Sequence, residues 1–442
     1  MIDNERYNFL TKNHVHYGNM SSTNEFKKNL AQIENYEHII ETFYKNSKES
    51  MNQFIDEVNK KNQDKTIVFI SGKPFPMFSR QAFAMKNRGY KTFLITMDQI
   101  NYNDHLLIKN SFDHVIQNIL FFPALKNILN FISPDFYHVQ CWMWKYSLGM
   151  FVINNKKKSK VICDFYDVTG MYANKKNLKK IFDNELVDQD LECEKFIFKN
   201  TNGIIHRYKQ KVFLDYSKRY NRKQNILEFQ QYPLSTKNIS KKNYENSRIR
   251  LVYCGTLIPP NDANHPKELF PPAGMADAFN ILLSKNFELN IYLPINGSRD
   301  FNNWVFDLKR KFPEKLFIHD TLPINELINE ISIYDYGINF FILNKKETKV
   351  SHFNFNGAMG TKNYTLLEAG LPLIVNSEMK YFDELIKKNK IGISLNSKEF
   401  NQIDQYVKNI NYLELKENVK NFQKRNSLHI KSDELVSFYS SL

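Results

Sequence analysis

Short apolar runs alternate with segments of helical periodicity from Lys65 onward. The run "KTIVFISG" (65–72) is rich in β-branched residues and ends in glycine, which is typical of a buried strand. "SRQAFAMKNRG" (79–89) has apolar residues at helical spacing and a glycine suited to a helix C-terminus, and "YKTFLITM" (90–97) predicts the next strand. This order of strand, helix and strand predicts a βαβ unit.

The same alternation continues through the first half of the chain. Further strands are predicted at 135–140, 159–167 and 203–208, with helical segments between them. A polar segment without apolar periodicity, "STKNISKKNYENS" (235–247), then interrupts the pattern. Because strands that alternate with helices favour a parallel sheet covered on both faces, this half predicts one Rossmann-like α/β domain.

A second series of the same kind follows the polar segment. Its predicted strands lie at 249–257, 287–295, 314–323 and 334–343, again with helices between them. The predicted fold class is therefore α/β, with two successive Rossmann-like domains. The predicted division is an N-terminal helical extension at 1–62, a first domain at 63–240, a second domain at 248–401, and C-terminal helices at 402–442 that pack back on the first domain.

Composition limits the classes of binding partner and the cellular compartment that we expect. The balance of 61 basic against 47 acidic residues gives a formal net charge of +14, which favours an anionic partner, although a general bias towards Lys and Asn explains it equally well. The four Cys lie in apolar surroundings without CxxC or zinc-ligand spacing, which predicts buried thiols in a reducing cytoplasm. We recognise no signal peptide or membrane span, so we expect a cytoplasmic protein, with contact to the inner face of a membrane left open.

The first predicted domain offers polar side chains near the carboxyl ends of its strands, where open parallel sheets bind ligands. Gly72 ends one strand, and Arg80 at the next helix is a candidate for phosphate or sugar hydroxyls. His138 and Gln140 share a strand face, and Asp167 ends another strand, so His138 and Asp167 are candidate general bases. The alternatives are a surface arginine, a core histidine and a turn-capping aspartate.

In the second domain, the stretch "GTKNYTLLEAGLPLIVN" (360–376) predicts a helix followed at once by a buried strand. Thr361 is the expected N-cap, and Lys362 falls in the first turn. A lysine does not complement the positive end of a helix dipole unless an anion such as a diphosphate lies there as well. Thr365 and Glu368 share a helical face with Thr361, so Glu368 either accepts hydrogen bonds from ribose hydroxyls or is a solvated helix residue.

The chain resembles the GT-B glycosyltransferases, particularly the retaining nucleotide-sugar-dependent, GT4-like group. The resemblance rests on four motifs in the family's order: "RQAFAMKNRGYKTFLIT" (80–96), "SPDFYHVQ" (133–140), "LVYCGTL" (251–257) and "KNYTLLEAGLPLIV" (362–375). It implies two Rossmann-like domains that face each other across a cleft. The acceptor would bind the first domain and the nucleotide sugar the second.

The resemblance also implies the roles of particular residues. The expected nucleotide-sugar-binding residues are Gly255, Thr256, Thr361, Lys362, Asn363, Tyr364, Thr365 and Glu368. The expected acceptor or cleft residues are Gly72, Arg80 and Gln140, and the expected catalytic residues are Asp167 and His138. The family implies no metal and no cofactor besides the nucleotide-diphosphate sugar, which acts as the donor. The implied partners are that donor and a glycan or lipid-linked acceptor in surface-glycan biosynthesis, without nucleic acid.

Several departures from the family pattern leave the donor and the chemistry open. Gly357 and Thr365 stand where the family often has a Glu, and Thr256 stands where an Arg is common. Gln140 lies near the position of a mechanistically important His of some relatives. A GT-B-fold epimerase of nucleotide sugars is one alternative. A basic protein that binds membrane or nucleic acid is another, because lysines cluster at 155–161 and 174–180.

Overall fold

A computed structural model of the protein describes residues 49–60, 65–100, 105–119, 122–234, 248–260, 265–294, 299–344 and 346–442. Most of the predicted N-terminal extension lies outside these residues. Within its described part, 49–60, residues 49–59 are helical and bury Met51, Phe54 and Val58. The chain divides into two compact units, Met1–Phe229 with Ser432–Leu442, and Gln230–Lys431.

The first unit is built on a parallel sheet of seven strands. The strand order is β3-β2-β1-β4-β5-β6-β7. The strands are β1 Thr66–Ser71, β2 Lys91–Thr96, β3 His114–Ile116, β4 Phe136–Cys141, β5 Lys160–Phe165, β6 Gly203–His206 and β7 Ile226–Glu228. Every residue of β1 and β4 is buried, as expected for central strands whose two faces are both covered.

Helices connect these strands. They are α1 Pro76–Lys86, α2 His105–Ser111, α3 Phe122–Phe131, α4 Tyr146–Asn155, α5 Thr169–Tyr172, α6 Lys175–Leu178, α7 Asn184–Asn200 and α8 Gln210–Ser217. Local chemistry sets their ends. Pro76 starts α1, where its missing N–H is not needed, and Asp183 caps α7 by accepting the N–H groups of Glu185 and Leu186.

The second unit repeats the plan with a parallel sheet of six strands, in the order β10-β9-β8-β11-β12-β13. The strands are β8 Ile249–Cys254, β9 Phe287–Tyr292, β10 Leu316–His319, β11 Tyr336–Asn339, β12 Leu373–Asn376 and β13 Gly392–Leu395. The helices are α9 Met275–Ser284, α10 Arg299–Lys311, α11 Ile324–Ile331, α12 His352–Gly357, α13 Thr361–Glu368, α14 Lys380–Asn389, α15 Ile403–Asn409 and α16 Tyr412–Arg425. The prediction of two Rossmann-like halves is confirmed.

The last helix, α17 Leu428–Ser441, carries the chain back to the first unit, as the fold prediction expected. From Ser432 onward its residues pack there. Arg88 forms an ion pair with Asp433 at 2.8 Å, and Phe438 lies against the backbone of Gly203. The segment Ser432–Leu442 therefore contributes to the core of the first unit.

The unit boundaries differ from the predicted division at two places. The chain enters the second unit at Gln230, before the polar segment 235–247, which lies outside the described residues. It returns to the first unit only at Ser432, so α15 and α16 belong to the second unit. In both cases the reason is hydrogen bonding to the second unit. Gln231 bonds to Thr365, and Gln423 bonds to the carbonyl of Leu367.

All four cysteines are free, buried thiols. None of the helices that the structure describes is long and apolar enough to cross a membrane.

Candidate functional site

The strand order of the second unit reverses between β8 and β11. In open α/β sheets, ligands bind outside the carboxyl ends of the strands at such a switch point. The chain leaves β8 at Gly255, whose φ of +124° lies in a region that side chains rarely adopt. A Cβ at this position would lie 2.5 Å from the Cε atom of Lys362. The glycine is therefore needed both for the turn and for the space that Lys362 fills.

Lys362 is held against the end of β8. Its Nζ lies 2.6 Å from the hydroxyl of Tyr253 and 3.3 Å from the carbonyl oxygen of Thr256. The same ammonium lies 4.9 Å from the centre of the Tyr253 ring, within range of a cation–π contact. The structure thus brings together three predicted site residues, Gly255, Thr256 and Lys362. The sequence did not single out Tyr253, because it reads as an ordinary strand residue.

The helix that carries Lys362 begins one residue earlier than predicted. Gly360, with φ −77° and ψ 127°, is the N-cap of α13, so the expectation that Thr361 caps the helix was wrong. Thr361 is instead the first helical residue, and no side chain caps the first turn. In this first turn the Asn363 N–H donates to the carbonyl of Gly360 at 3.1 Å. The helix dipole favours an anion near the preceding N–H groups, those of Thr361 and Lys362. Thr361 and Lys362 are half-exposed at this end.

The next two predicted residues point into the unit. Asn363 is buried, and its side-chain oxygen accepts a hydrogen bond from Asn339 at 2.9 Å. Tyr364 is also buried, with its ring 5.8 Å from that of Tyr232. Both side chains therefore fix the orientation of α13, and neither lies on the exposed side with Lys362.

Thr365 and Glu368 contact the segment that enters the second unit. The Thr365 hydroxyl accepts a hydrogen bond from Gln231 at 2.8 Å. The Glu368 carboxylate accepts one from the backbone N–H of Leu234, also at 2.8 Å. Both side chains are buried, Glu368 with 2% of its surface exposed. Both side chains therefore tie α13 to this segment, and their predicted contacts with the nucleotide sugar, including that of Glu368 with a ribose, stay predictions.

The far end of α13 is held by side chains from α16. Gln423 donates to the carbonyls of Leu367 and Glu368 at 2.7 and 3.0 Å. Lys416 donates to the carbonyl of Gly370 at 2.9 Å. Burial lowers the pKa of Lys416 to about 8, against the opposing attraction of Asp335. Because its last carbonyls are satisfied, α13 is well anchored beneath its N-terminal turn.

The corresponding region of the first unit is filled with side chains. His138 has none of its surface exposed, and its ring stacks on Phe69 at 4.7 Å. Its Nδ1 lies 2.5 Å from the hydroxyl of Tyr439, and its Nε2 lies 3.7 Å from Asp164. A general base must reach a proton of the substrate. Burial of the imidazole on this sheet face does not support the predicted catalytic role of His138.

The three predicted acceptor residues are buried as well. The Gln140 amide, oriented to satisfy both groups, donates to the Lys73 carbonyl at 2.8 Å and accepts from the Phe75 N–H at 3.3 Å. The carbonyl of Gly72 accepts the N–H of Asp98 at 3.0 Å. Arg80 has 1% of its surface exposed. These residues hold the loop after β1 closed on the sheet, and their acceptor roles stay predictions.

Asp167, by contrast, is accessible at the carboxyl end of β5. Its side chain is 45% exposed and forms an ion pair with Arg207. Its backbone carbonyl accepts from the Met143 N–H at 2.9 Å and the Tyr146 hydroxyl at 3.0 Å. Since His138 contacts Tyr439 and Asp164, the structure gives no support to a catalytic pair of Asp167 and His138.

Three other lysines near the predicted loops and clusters form ion pairs. Lys267, in the loop after β8, pairs with Asp277 at 2.5 Å. In the second lysine cluster, Lys175 and Lys179 both pair with Asp188, at 2.7 and 2.8 Å. A solvated, partly neutralised surface therefore accounts for these lysines.

The chain is similar to a family model and to several solved structures. Residues 290–429 match the family model described as glucosyltransferase 3-like, C-terminal domain. Anabaena HepE, solved with UDP-glucose, is 11% identical and has a TM-score of 0.59, over 85% of this chain and 100% of that one. A glycosyltransferase from Rickettsia africae is 13% identical with a TM-score of 0.56, over 86% and 99%. AviGT4, a glycosyltransferase of avilamycin A biosynthesis, is 8% identical with a TM-score of 0.51, over 86% and 98%. No curated protein matches the chain by sequence.

These likenesses define the class of fold. The chain has the GT-B fold, as the resemblance predicted. Within its second unit, residues 290–429, which include α13 and Lys362, are similar to the glucosyltransferase 3-like C-terminal domain.

Proposed function

We propose that the protein is a glycosyltransferase that takes a sugar from a nucleoside-diphosphate sugar bound by its second unit. One observation carries the proposal: the Lys362 ammonium lies beside Gly255 at the switch point of the sheet, at the start of an anchored helix. The match to a glucosyltransferase-like domain supports the same reaction class. The UDP-glucose in the HepE structure supports a UDP-sugar as the first donor to test.

The chemistry follows from where negative charge develops. When the bond between the sugar C1 and the diphosphate breaks, the departing diphosphate gains negative charge. Fixed positive groups at that position stabilise the transition state. The Lys362 ammonium and the backbone N–H groups of Thr361 and Lys362 supply them, with the helix dipole in the same sense. The residues present therefore fit a diphosphate.

We assign acceptor binding to the first unit, on the resemblance to GT-B enzymes. The acceptor hydroxyl attacks C1 and must lose a proton, and Asp167 is the exposed carboxylate that we propose for contact with it. We also propose a cytoplasmic role in building a bacterial-type surface glycan, without a metal. The net charge of +14 fits a diphosphate donor and an acceptor presented at an anionic membrane face.

A donor panel tests the reaction class. The purified protein is incubated with UDP-, GDP-, ADP- and dTDP-sugars, with and without candidate glycan acceptors, and products are identified by mass spectrometry. We expect acceptor-dependent transfer from one donor and slow hydrolysis of that donor without acceptor. An epimerised nucleotide sugar formed without acceptor would favour the epimerase alternative instead.

A variant tests the site. We expect Lys362→Met to weaken binding of the matching nucleoside diphosphate about 10- to 100-fold in calorimetry, since hydrogen bonds to charged groups contribute about 1.5–3 kcal/mol. Lys398→Met, at an exposed lysine of the same unit, is the control and should bind like the wild type. Equal binding by the wild type and Lys362→Met would contradict the proposed site.

A further inference from the structure

The hydrogen bonds around Lys362 have a defined direction. An ammonium group can only donate, so the Tyr253 hydroxyl oxygen accepts from Lys362 at 2.6 Å. The phenol proton is directed elsewhere, because Tyr253 donates it to the carbonyl of Thr256 at 2.8 Å. Tyr253 is buried, with 1% of its surface exposed. Its oxygen is therefore a fixed acceptor at the end of β8.

These contacts leave part of the ammonium available. Of its three protons, one is directed to Tyr253 and one to the carbonyl of Thr256 at 3.3 Å. The third has no further hydrogen bond to the residues that the structure describes, so we expect it to serve a ligand. The ammonium also lies 4.9 Å from the centre of the Tyr253 ring, and the lysine stem fills the space beside Gly255 where a side chain would otherwise lie. A lysine normally loses much rotamer freedom when it binds an anion, and here that freedom is already restricted.

We infer that Tyr253 is a positioning residue that holds Lys362 in place for the diphosphate before the donor binds. This inference rests on the proposed function and deepens it. The lysine stays on Tyr253 when the donor is bound, so the phenol hydroxyl strengthens the contact between Lys362 and the diphosphate. Tyr253 itself does not contact the donor phosphates.

A double-mutant cycle tests the inference. Binding of UDP, GDP and ADP, and of each nucleoside alone, is measured by calorimetry for the wild type, Tyr253→Phe, Lys362→Met and the double variant. With the diphosphate that binds, we expect Tyr253→Phe to weaken affinity about tenfold. Affinity for the nucleoside alone should be unchanged. The double variant should bind no more weakly than Lys362→Met, because the hydroxyl acts through the lysine.

Tyr336→Phe is the matched control, because Tyr336 is a buried tyrosine at the start of the neighbouring strand β11. It should leave diphosphate affinity unchanged. In transfer assays Tyr253→Phe should raise the donor KM and lower kcat, whereas Tyr336→Phe should alter neither. Thermal unfolding checks that each variant is folded, which the retained ring favours.

Two results would overturn the inference alone. One is an unchanged or tighter diphosphate affinity in Tyr253→Phe, since the tyrosine would then merely occupy the lysine in the free protein. The other is full additivity of Tyr253→Phe and Lys362→Met. If no nucleoside diphosphate binds the wild type, or if Lys362→Met binds it normally, the proposed function fails and the inference fails with it.

Discussion

The two units share a strand order around the switch point but use it differently. In the first unit, buried Gly72 and Gln140 lie at the carboxyl ends of β1 and β4, the two strands that flank the switch point. In the second unit, the edge between β8 and β11 carries a half-exposed Gly255, an exposed Thr256 and the ammonium of Lys362. The same topology therefore produces one edge filled by its own side chains and one edge that presents a cation. The two switch points therefore differ in their side chains and not in their strand order.

The largest expected effect concerns Asp190, one of the buried acids of the first unit. Asp190 accepts the backbone N–H groups of Trp144 and Tyr146 at 3.0 and 3.4 Å, in the turn after β4. Burial raises its pKa to about 7, against the lowering effect of its hydrogen bonds. Because the pKa of Asp190 is raised in the folded state, protonated Asp190 contributes to the free energy of unfolding. This contribution is fully present below the unfolded-state pKa near 3.8 and is lost as the pH rises to about 7.

We therefore expect Asp190→Asn to remove a pH-dependent loss of roughly 4 kcal/mol in the free energy of unfolding between pH 4 and pH 8, at about 1.36 kcal/mol per pKa unit. Urea unfolding at several pH values measures this change. Diphosphate affinity should be unaffected, because the effect belongs to the first unit. An unfolding profile that keeps the wild-type pH dependence would contradict it.

The second largest expected effect is a loss of diphosphate affinity in the second unit. In Gly255→Ala, the new Cβ would lie 2.5 Å from the Lys362 Cε and displace the ammonium. We expect diphosphate affinity to fall about 100-fold, as for the loss of a charged hydrogen bond of about 3 kcal/mol. Calorimetry measures the affinity.

Gly89→Ala separates strain from displacement. Gly89 also has a positive φ, +86°, but nothing lies within 4 Å of a Cβ placed there. Both variants should lose about 1 kcal/mol of stability from the strained backbone, while only Gly255→Ala should lose affinity. Equal affinities in the two variants would show that Lys362 does not depend on the space at Gly255.

The smallest expected effect is in Tyr439→Phe. This variant removes the hydroxyl that lies 2.5 Å from His138 Nδ1 in the first unit. We expect a loss of about 1 kcal/mol in unfolding free energy, with transfer activity retained. Chemical denaturation and a donor-turnover assay measure the two quantities. Loss of activity in a stable, folded variant would restore His138 to the catalytic site.

The sequence predicted the alternation of strands and helices, because this alternation follows from local pattern. That Gly255 and Lys362 belong to the same site was implied only by the resemblance to GT-B enzymes. The sequence missed the edge strands β3 and β7, since three residues carry too little periodicity. The sequence also could not predict which polar side chains hydrogen-bond to other residues of the protein. Thr365 hydrogen-bonds to Gln231, which is 134 residues away in sequence, and His138 hydrogen-bonds to Tyr439, which is 301 residues away. Such partners depend on tertiary packing, which no local window contains.

The most direct test of the central claim is a crystal structure of the protein soaked with the nucleoside diphosphate that calorimetry selects. The account predicts diphosphate oxygens within hydrogen-bonding distance of the Lys362 ammonium and the first-turn N–H groups of α13, with the contact between Lys362 and Tyr253 kept. A diphosphate bound elsewhere, with Lys362 directed only at Tyr253 and Thr256, would contradict it.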